Sequence, residues 1–343
     1  MIYANIHADG HSKNSLFAVE DKVHRHNPTT TPRMLREAFL KRGIEVNTPD
    51  LNQGREIAFD LHLEGRPLQD ARHPRYLVTL ENPNINKLNA SSDYCLNFDL
   101  VFSWDVRLFH LPNVVHILIP HPLGGEAFPP QEQRDIFSCL INANKAFKEV
   151  LPSDLYLERI RTIRWYERHA PDKFELYGLG WEKSTPAFST SARIKRSLSR
   201  LKTRLFRIPP FPSFRGELKN KADVLRRAQF SYCYENSRDL SNYITEKIFD
   251  SLVNGCVPVY WGADNVLDHI PVGCVIDRRN FSSTAEVHQH LLSITPDDYA
   301  RYQRNIINFL RSDSAAAFSS RHFADLIADR VSQNLEEIRS KRL

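Results

Sequence analysis

The sequence predicts an α/β protein made of two consecutive units that join near residue 150. Short apolar runs typical of strands alternate with stretches whose apolar residues recur at helical spacing, which indicates sheets with helical crossovers. The 343 residues also exceed the roughly 150 residues of a typical domain, and the character of the chain changes at about Pro152. We therefore expect domains over 1–150 and 151–325, followed by a basic helical tail over 326–343.

The first unit is predicted to begin with a helix and to continue with strands. Thr31 followed by Pro32 is typical of an N-cap and the first helical position, and Gly43 is expected to end this helix. The strands are expected where apolar residues cluster between polar or turn-forming residues. They are predicted over 44–46, 56–62, 75–80, 98–104 and 114–119.

The second unit is predicted to alternate helices and strands in the same way. Gly255 is expected to end one of its helices. Ser, Pro and basic residues dominate 184–212, so we expect a long exposed loop there. The predicted helices cover 155–169, 219–228, 245–254 and the chain from 296 onward, and the predicted strands cover 174–177, 230–234 and 257–261.

Composition places the chain among ordinary globular proteins, with 41% apolar and 25% charged residues. The longest apolar stretch, at 114–120, is far below the roughly 18 residues that a membrane-spanning helix needs. The N-terminus lacks a basic region followed by an apolar core, so no signal peptide is predicted. Five scattered cysteines without a C-x-x-C pair indicate reduced thiols and a cytoplasmic location.

A basic segment at 193–207 contains seven Lys and Arg residues and no acid. If it is helical, its leucines share one face, which is typical of peripheral contact with an anionic membrane, here the inner face of the cell membrane. A solvated insertion is the alternative. Nucleic-acid binding is disfavoured, because neither a stacking platform of aromatics nor a recognisable module accompanies the charge.

The most informative segment is the predicted strand at 230–234 with the polar residues that follow it. Asn236, Tyr243, Glu246 and Lys247 lie between this strand and the next predicted helix. A helix start with a lysine is typical of an anion site, and a glutamate there can accept hydrogen bonds from a ribose. Neither common nucleotide-binding glycine motif is present. The alternative is a capped helix start with solvated charges, a loop-capping Asn236 and a packing Tyr243.

This segment resembles glycosyltransferase family 10, the α-1,3-fucosyltransferases. The resemblance covers about residues 75 to 310 and is strongest in the second half of the chain. It is carried by Phe-x-x-x-Tyr-Glu-Asn-Ser at 230–237, Tyr-Ile-Thr-Glu-Lys at 243–247 and Gly-Cys-Val-Pro-Val-Tyr-Trp-Gly at 255–262, with supporting matches at 174–178, 214–216 and 263–281.

The resemblance implies a GT-B fold, in which two Rossmann-like domains face each other across a cleft. It also implies inverting transfer of L-fucose from GDP-β-L-fucose without a metal ion or other cofactor. The donor-binding positions of the family correspond to Asn236, Tyr243, Glu246 and Lys247. An arginine on the predicted helix 155–169 should meet the diphosphate, with Arg161 as first choice, then Arg159 and then Arg164.

A general base is expected on the acceptor side, in the first half of the chain. Glu81 follows the predicted strand 75–80 and resembles the glutamate of the family's Glu-Ser-Pro segment, although Asn82 replaces the serine. A carboxylate there can take the proton of an acceptor hydroxyl. In this hypothesis Glu81, Lys247 and Arg161 are the catalytic residues. The alternative is a strand-end glutamate that caps a turn.

The expected partners are a sugar nucleotide and a glycan acceptor, with bacterial surface polysaccharide or lipopolysaccharide as the acceptor class. Two alternatives remain open: the same fold with a different sugar-nucleotide donor, or a catalytically silent protein that binds glycans or nucleotides. The 14 histidines show no metal-ligand spacing such as H-E-x-x-H, so no metal site is expected.

Overall fold

The computed structural model describes residues 2–18, 29–70, 73–123, 128–149, 151–186, 197 and 209–341. These residues form two compact units, each built around a six-stranded sheet in which all described strand pairs are parallel. The predicted α/β class is therefore confirmed. The first unit comprises Met1–Leu123, Ser241–Thr245 and Asp313–Leu343, and the second comprises Gly124–Leu240 and Glu246–Ser312.

The strands of the first sheet lie in the order β2-β1-β3-β4-β5-β6, and those of the second in the order β12-β11-β10-β7-β8-β9. The first sheet contains β1 (Ile2–His7), β2 (Ile44–Asn47), β3 (Ile57–Leu63), β4 (Arg75–Thr79), β5 (Leu100–Ser103) and β6 (Val114–His116). The second contains β7 (Ile136–Ile141), β8 (Glu175–Tyr177), β9 (Phe214–Gly216), β10 (Ala228–Tyr234), β11 (Val257–Trp261) and β12 (Ile276–Asp277). All eight predicted strands are confirmed, with ends that differ by a few residues.

The helices vary in length from a single turn to 21 residues. They are α1 (Thr30–Lys41), α2 (Ser92–Cys95), α3 (Leu155–His169), α4 (Ala222–Leu225), α5 (Glu246–Leu252), α6 (Val266–His269), α7 (Thr284–Ser293), α8 (Pro296–Leu310), α9 (Asp313–Ala316) and α10 (Ser320–Ser340). The predicted helix at 219–228 is wrong in extent, because β10 already begins at residue 228 and leaves only the single turn of α4.

Helix α1 begins earlier than predicted. Its N-cap is Thr29 rather than Thr31, and Thr31 lies inside the helix, where its hydroxyl is 2.7 Å from that of Ser320. Gly43 follows the helix with a φ of +74°, a conformation that glycine adopts without strain. The predicted end of the helix is therefore confirmed and its predicted start is wrong.

The core of the first unit lies between its sheet and the helices α1 and α10. Phe39 of α1, Phe59 of β3 and Ile327 of α10 are fully buried in one apolar cluster. The residues predicted as a basic C-terminal tail thus continue a helix whose apolar face packs on the first sheet. This helix reaches back from the end of the chain to the N-terminal unit, which the order of elements along the sequence does not reveal.

The division of the chain differs from the predicted boundary at residue 150. Strand β7 lies before that boundary, yet it pairs with β10 and β8 in the second sheet. Ala228 pairs with Ile136, and Phe230 pairs with Ser138. Because β7 is central in this sheet, the second unit includes residues well before 150, and it begins at Gly124.

Two further predictions concern the whole chain. All five cysteines are buried and none forms a disulfide, as predicted. Among the helices that the structure describes, none combines the length and apolarity needed to cross a membrane. The predicted basic segment at 193–207 lies outside the described residues, apart from Ser197.

Candidate functional site

The candidate site in the second unit lies where β10 ends. The N–H of Glu235, the first residue after the strand, donates to the carbonyl of Trp261 over 2.8 Å. Gly262 makes room for the Glu235 side chain, because a Cβ atom on Gly262 would lie 2.4 Å from the Glu235 Cγ. The glycine that closes the sequence motif at 255–262 is therefore required by close packing beneath the site.

Glu235 and Lys247 form a buried ion pair. The Lys247 Nζ lies 3.2 Å from Oε2 of Glu235 and 3.4 Å from Oε1 of Glu246. The side chain of Glu235 is fully buried, that of Lys247 is 13% exposed, and that of Glu246 is 52% exposed. Burial lowers the pKa of Lys247, but the charges of Glu235 and then Glu246 outweigh it, so the net pKa lies above its ordinary value. Lys247 is a fixed cation at neutral pH.

Sequence reasoning missed Glu235, although it lies inside the quoted motif at 230–237. It also missed Lys221 and Asp250, which form a second ion pair with an Nζ to Oδ2 distance of 2.7 Å. Lys221 and Lys247 line the same small cavity. Helix α5, which carries Lys247, begins at Glu246 and has seven residues.

Arg159 is the arginine that the structure brings to this strand end. Its residue exposure is only 2%, and its Nη2 donates to the carbonyls of Tyr234 and Glu235 over 2.6 and 2.8 Å. The same nitrogen donates to Oδ1 of Asn236 over 3.1 Å. Arg159 therefore fixes both the backbone at the end of β10 and the side chain of Asn236.

The expected first choice, Arg161, is placed elsewhere. Its side chain is 71% exposed and pairs with Glu158 on the same helix. Arg164 pairs with Glu167 and stacks on Phe211, so it also lies away from the strand end. Of the three candidate arginines, the structure places Arg159 at the strand end, because the buried face of α3 includes residue 159 and excludes 161. The other buried residues of this helix are Leu155, Tyr156, Thr162, Ile163 and Tyr166.

Glu81 and Tyr243 meet in the first unit. The Tyr243 hydroxyl donates to Oε1 of Glu81 over 3.4 Å, and the same carboxylate oxygen accepts the N–H of Asn82 over 2.7 Å. The Tyr243 ring is 2% exposed and packs against Trp104, with ring centroids 4.9 Å apart. Tyr243 was predicted as a donor-binding residue together with Lys247; the structure groups it with Glu81 in the first unit, whereas Lys247 belongs to the second.

A second glutamate, Glu64, holds the backbone of Glu81. Its Oε1 accepts the N–H groups of Leu80 and Glu81, each over 3.1 Å. Asn89 donates to its other oxygen over 2.5 Å and to the Glu81 carbonyl over 3.1 Å. Burial raises the pKa of Glu64, while these hydrogen bonds act in the opposite direction. Sequence reasoning missed Glu64, whose φ of +68° marks an unusual backbone conformation.

The predicted site residues thus fall into two groups within their own units. Arg159, Asn236, Glu246 and Lys247 belong to the second unit, where the first two are in contact and the last two are in contact. Glu81 and Tyr243 belong to the first unit. The first group offers cations and amides that suit a diphosphate, and the second offers a carboxylate that suits proton transfer.

The comparison with protein families supports the resemblance that the motifs indicate. Residues 209–314 match the model of the glycosyltransferase family 10 (fucosyltransferase) C-terminal domain. An alpha-(1,4)-fucosyltransferase of Arabidopsis thaliana is 38% identical over 72 residues, and the alpha-(1,3)-fucosyltransferase FucT of Helicobacter pylori is 34% identical over 77 residues. These alignments cover 21% and 22% of this chain, and 18% and 16% of the relatives.

The fold is similar over nearly the whole chain to a solved structure. A crystal structure of an alpha1,3-fucosyltransferase superimposes with a TM-score of 0.50 at 13% identity, over 98% of this chain and 90% of that one. Together with the two parallel sheets, this similarity confirms the GT-B fold class. Residues 209–314, which contain Asn236, Glu246 and Lys247, are thus similar in sequence to the C-terminal domain of the glycosyltransferase family 10 fucosyltransferases.

Proposed function

We propose that the chain is an inverting glycosyltransferase that transfers L-fucose from GDP-β-L-fucose to a hydroxyl of a glycan, in α-1,3 linkage and without a metal ion. The observation that carries the proposal is the buried Lys247–Glu235 pair at the end of β10, inside the segment that matches the fucosyltransferase family. A fixed, poorly solvated lysine beside amide donors is suited to bind a diphosphate.

In the donor complex, Lys247 binds the diphosphate through its Nζ. Lys247, Glu235 and Glu246 together carry a net charge of −1. Because the Glu246 carboxylate would repel the diphosphate, its side chain must turn away from Lys247 when the donor binds. The Glu246 side chain is half exposed, and it then accepts hydrogen bonds from the hydroxyls of the ribose. Asn236, held by Arg159 through its Oδ1, presents its amide N–H groups to the donor.

In the transfer step, Glu81 takes the proton of the acceptor hydroxyl. The acceptor oxygen forms a bond to the anomeric carbon on the face opposite the diphosphate, while the bond from that carbon to the phosphate oxygen breaks and GDP leaves with the electron pair. The β-linked fucose becomes α-linked. Tyr243 orients the Glu81 carboxylate, and Glu64 holds the backbone beneath it.

The developing charge on GDP is stabilised by Lys247 and by the amide donors, which supply the role that a divalent cation has in other transferases. Transfer should therefore proceed in buffer treated with a chelator. We propose glycans of a bacterial surface, polysaccharide or lipopolysaccharide, as acceptors, and action in the cytoplasm. The basic segment 193–207 would contact anionic lipid of the inner membrane face. Co-sedimentation with anionic vesicles, with and without residues 190–208, tests that contact.

The donor is tested by a thermal-shift panel of GDP-, UDP-, dTDP- and CMP-sugars, because a ligand that binds only the folded chain raises its Tm. We expect a shift with GDP-fucose, and hydrolysis of GDP-fucose when no acceptor is present. A shift with another sugar nucleotide alone would favour the same chemistry with a different donor. Binding without hydrolysis or transfer to any acceptor would favour a silent binding protein.

A further inference from the structure

A polar cluster of the first unit has no part in the proposed transfer. His7 is the last residue of β1, and Asp60 and His62 lie on the neighbouring strand β3. The His7 Nε2 lies 2.9 Å from Oδ1 of Asp60. The Nε2 of His73, just before β4, lies 2.8 Å from Oδ2 of the same carboxylate. Three histidines thus surround one buried aspartate.

The register of the sheet produces this cluster. Strands β1 and β3 are parallel neighbours in which Asn5 pairs with Asp60 and His7 pairs with His62. Side chains two residues apart on a strand point to the same face, so Asp60 and His62 share a face, and His7 lies beside them. The opposite face of β3 carries Phe59 and Leu61, which belong to the apolar core.

The contacts within the cluster do not explain why the polar ring of His62 is buried. It is 6% exposed, and among the described residues neither of its ring nitrogens has a hydrogen-bond partner. Its ring stacks on His7, with centroids 4.5 Å apart and planes 5° apart, and contacts the edge of Phe98. A buried polar group without a partner costs about 1–3 kcal/mol of folding free energy. A ligand bound to the His62 imidazole would offset this cost.

We propose that His7, Asp60 and His62 bind one divalent transition-metal ion, with Zn²⁺ as the preferred ion. One ligand atom from each of these residues lies within 4.8 Å of the other two. Ligand atoms of a tetrahedral zinc site are about 3.3 Å apart, so small side-chain rotations suffice for coordination. Two imidazoles and one carboxylate select Zn²⁺ and its neighbours in the transition series over Mg²⁺ and Ca²⁺.

The remaining contacts of Asp60 suit a second shell around such an ion. His73 and the side-chain amide of Asn5, whose Nδ2 donates to Asp60 Oδ1 over 2.9 Å, both orient the carboxylate. Contacts of this kind typically change metal affinity 10–100-fold. The ion would join β1, β3 and the segment before β4, so its role is to stabilise the first unit and lies outside the transfer step.

The test uses the full chain without a histidine tag, stripped with a chelator and exchanged into metal-free buffer. Zn²⁺ is titrated against a chromogenic chelator, and Co²⁺ is added separately to record the visible absorption of a nitrogen- and oxygen-coordinated ion. We expect one Zn²⁺ per chain, a rise in Tm with Zn²⁺ and none with Mg²⁺. The variants His62→Gln and Asp60→Asn should lose at least tenfold in Zn²⁺ affinity.

His110→Gln is the matched control, because His110 is an exposed histidine of the same unit, and it should bind Zn²⁺ like the unmodified chain. If the two buried variants fail to fold, His7→Gln replaces them, since the His7 side chain is 26% exposed. The proposal is overturned if the metal-free chain binds no stoichiometric Zn²⁺. It is also overturned if every folded cluster variant binds Zn²⁺ as tightly as His110→Gln does.

Discussion

The hydroxyl of Tyr243 donates a hydrogen bond to the carboxylate of Glu81 across 162 residues of sequence. Tyr243 lies in the segment that matches the fucosyltransferase family, yet the five residues Ser241–Thr245 make their contacts with the first unit. The candidate base and the family motif are therefore joined through one buried tyrosine. Its ring is fixed by Trp104, whose indole N–H donates to the carbonyl of Leu80 over 3.1 Å.

Tyr243→Phe tests this contact. Loss of one hydrogen bond of ordinary strength, about 0.5–1.5 kcal/mol, should lower kcat about 2–10-fold while the Kd for GDP stays unchanged. Steady-state kinetics and calorimetry separate the two effects. An equal loss of GDP affinity would instead assign Tyr243 to the donor, as the sequence predicted.

Removing one member of the Glu235–Lys247 pair is expected to lower the stability of the chain more than removing both. Lys247→Met removes the cation beside the buried Glu235 carboxylate and should destabilise the chain by about 3–5 kcal/mol. The double variant Glu235→Gln/Lys247→Met restores charge balance and should recover much of that stability, but should still bind GDP at least tenfold more weakly. Urea unfolding and calorimetry provide the two readouts.

The same pair predicts a flat pH dependence. Because the pKa of Lys247 is raised in the folded chain, its contribution to stability is present below its unfolded pKa of about 10.4. That contribution is lost only as the pH rises through the higher folded value. The difference in unfolding free energy between the unmodified chain and the double variant should therefore stay constant from pH 7 to pH 9. A steep fall in that window would show that Lys247 titrates there.

Arg159 and Arg161 form a matched pair on helix α3. Arg159→Ala removes a buried guanidinium that satisfies two carbonyls and should cost about 2–4 kcal/mol of stability. Arg161→Ala removes an exposed pair and should change stability by less than about 0.5 kcal/mol. In the folded fraction, only the Arg159 variant should weaken GDP binding. Loss of GDP affinity in Arg161→Ala with unchanged stability would reinstate the original preference.

Glu246→Gln distinguishes the contribution of the ribose to GDP binding from that of the diphosphate. Removal of this charge takes away a neighbour that repels anions, so inorganic pyrophosphate should bind more tightly. Since a carboxylate accepts hydroxyl hydrogen bonds more strongly than an amide, GDP should bind several-fold more weakly. Calorimetry with inorganic pyrophosphate and with GDP measures these two changes in affinity. A parallel gain for GDP and pyrophosphate would remove Glu246 from contact with the ribose.

Local sequence was sufficient for the elements that carry the donor-side residues. The apolar run of β10 and β11, and Gly255 with its φ of +66°, define strands and a helix end without reference to the rest of the chain. The choice of arginine could also have been made from sequence. Arg159 lies four residues after Leu155 and seven before Tyr166, which places it on the apolar face of α3. Arg161 lies off that face.

Contacts between segments that are distant in sequence could not be predicted from local sequence patterns. Strand β7 was not predicted, and helix α10 was predicted only as part of a helical C-terminal region. Pairing decides that β7 joins the second sheet, and packing decides that α10 covers the first. The Tyr243–Glu81 contact depends on five residues that cross to the other unit. The cluster of His7, Asp60 and His62 depends on β1 lying between β2 and β3, and β1 was not predicted.

The most direct measurement is titration of the purified chain with GDP by calorimetry in chelator-treated buffer, with UDP as the comparison. Saturable one-to-one binding of GDP is expected in the unmodified chain, with much weaker binding of UDP and a loss of at least tenfold in the double variant of Glu235 and Lys247. Absence of GDP binding without a divalent ion, or equal binding by the double variant, would contradict the assignment of Lys247 to a metal-free diphosphate site.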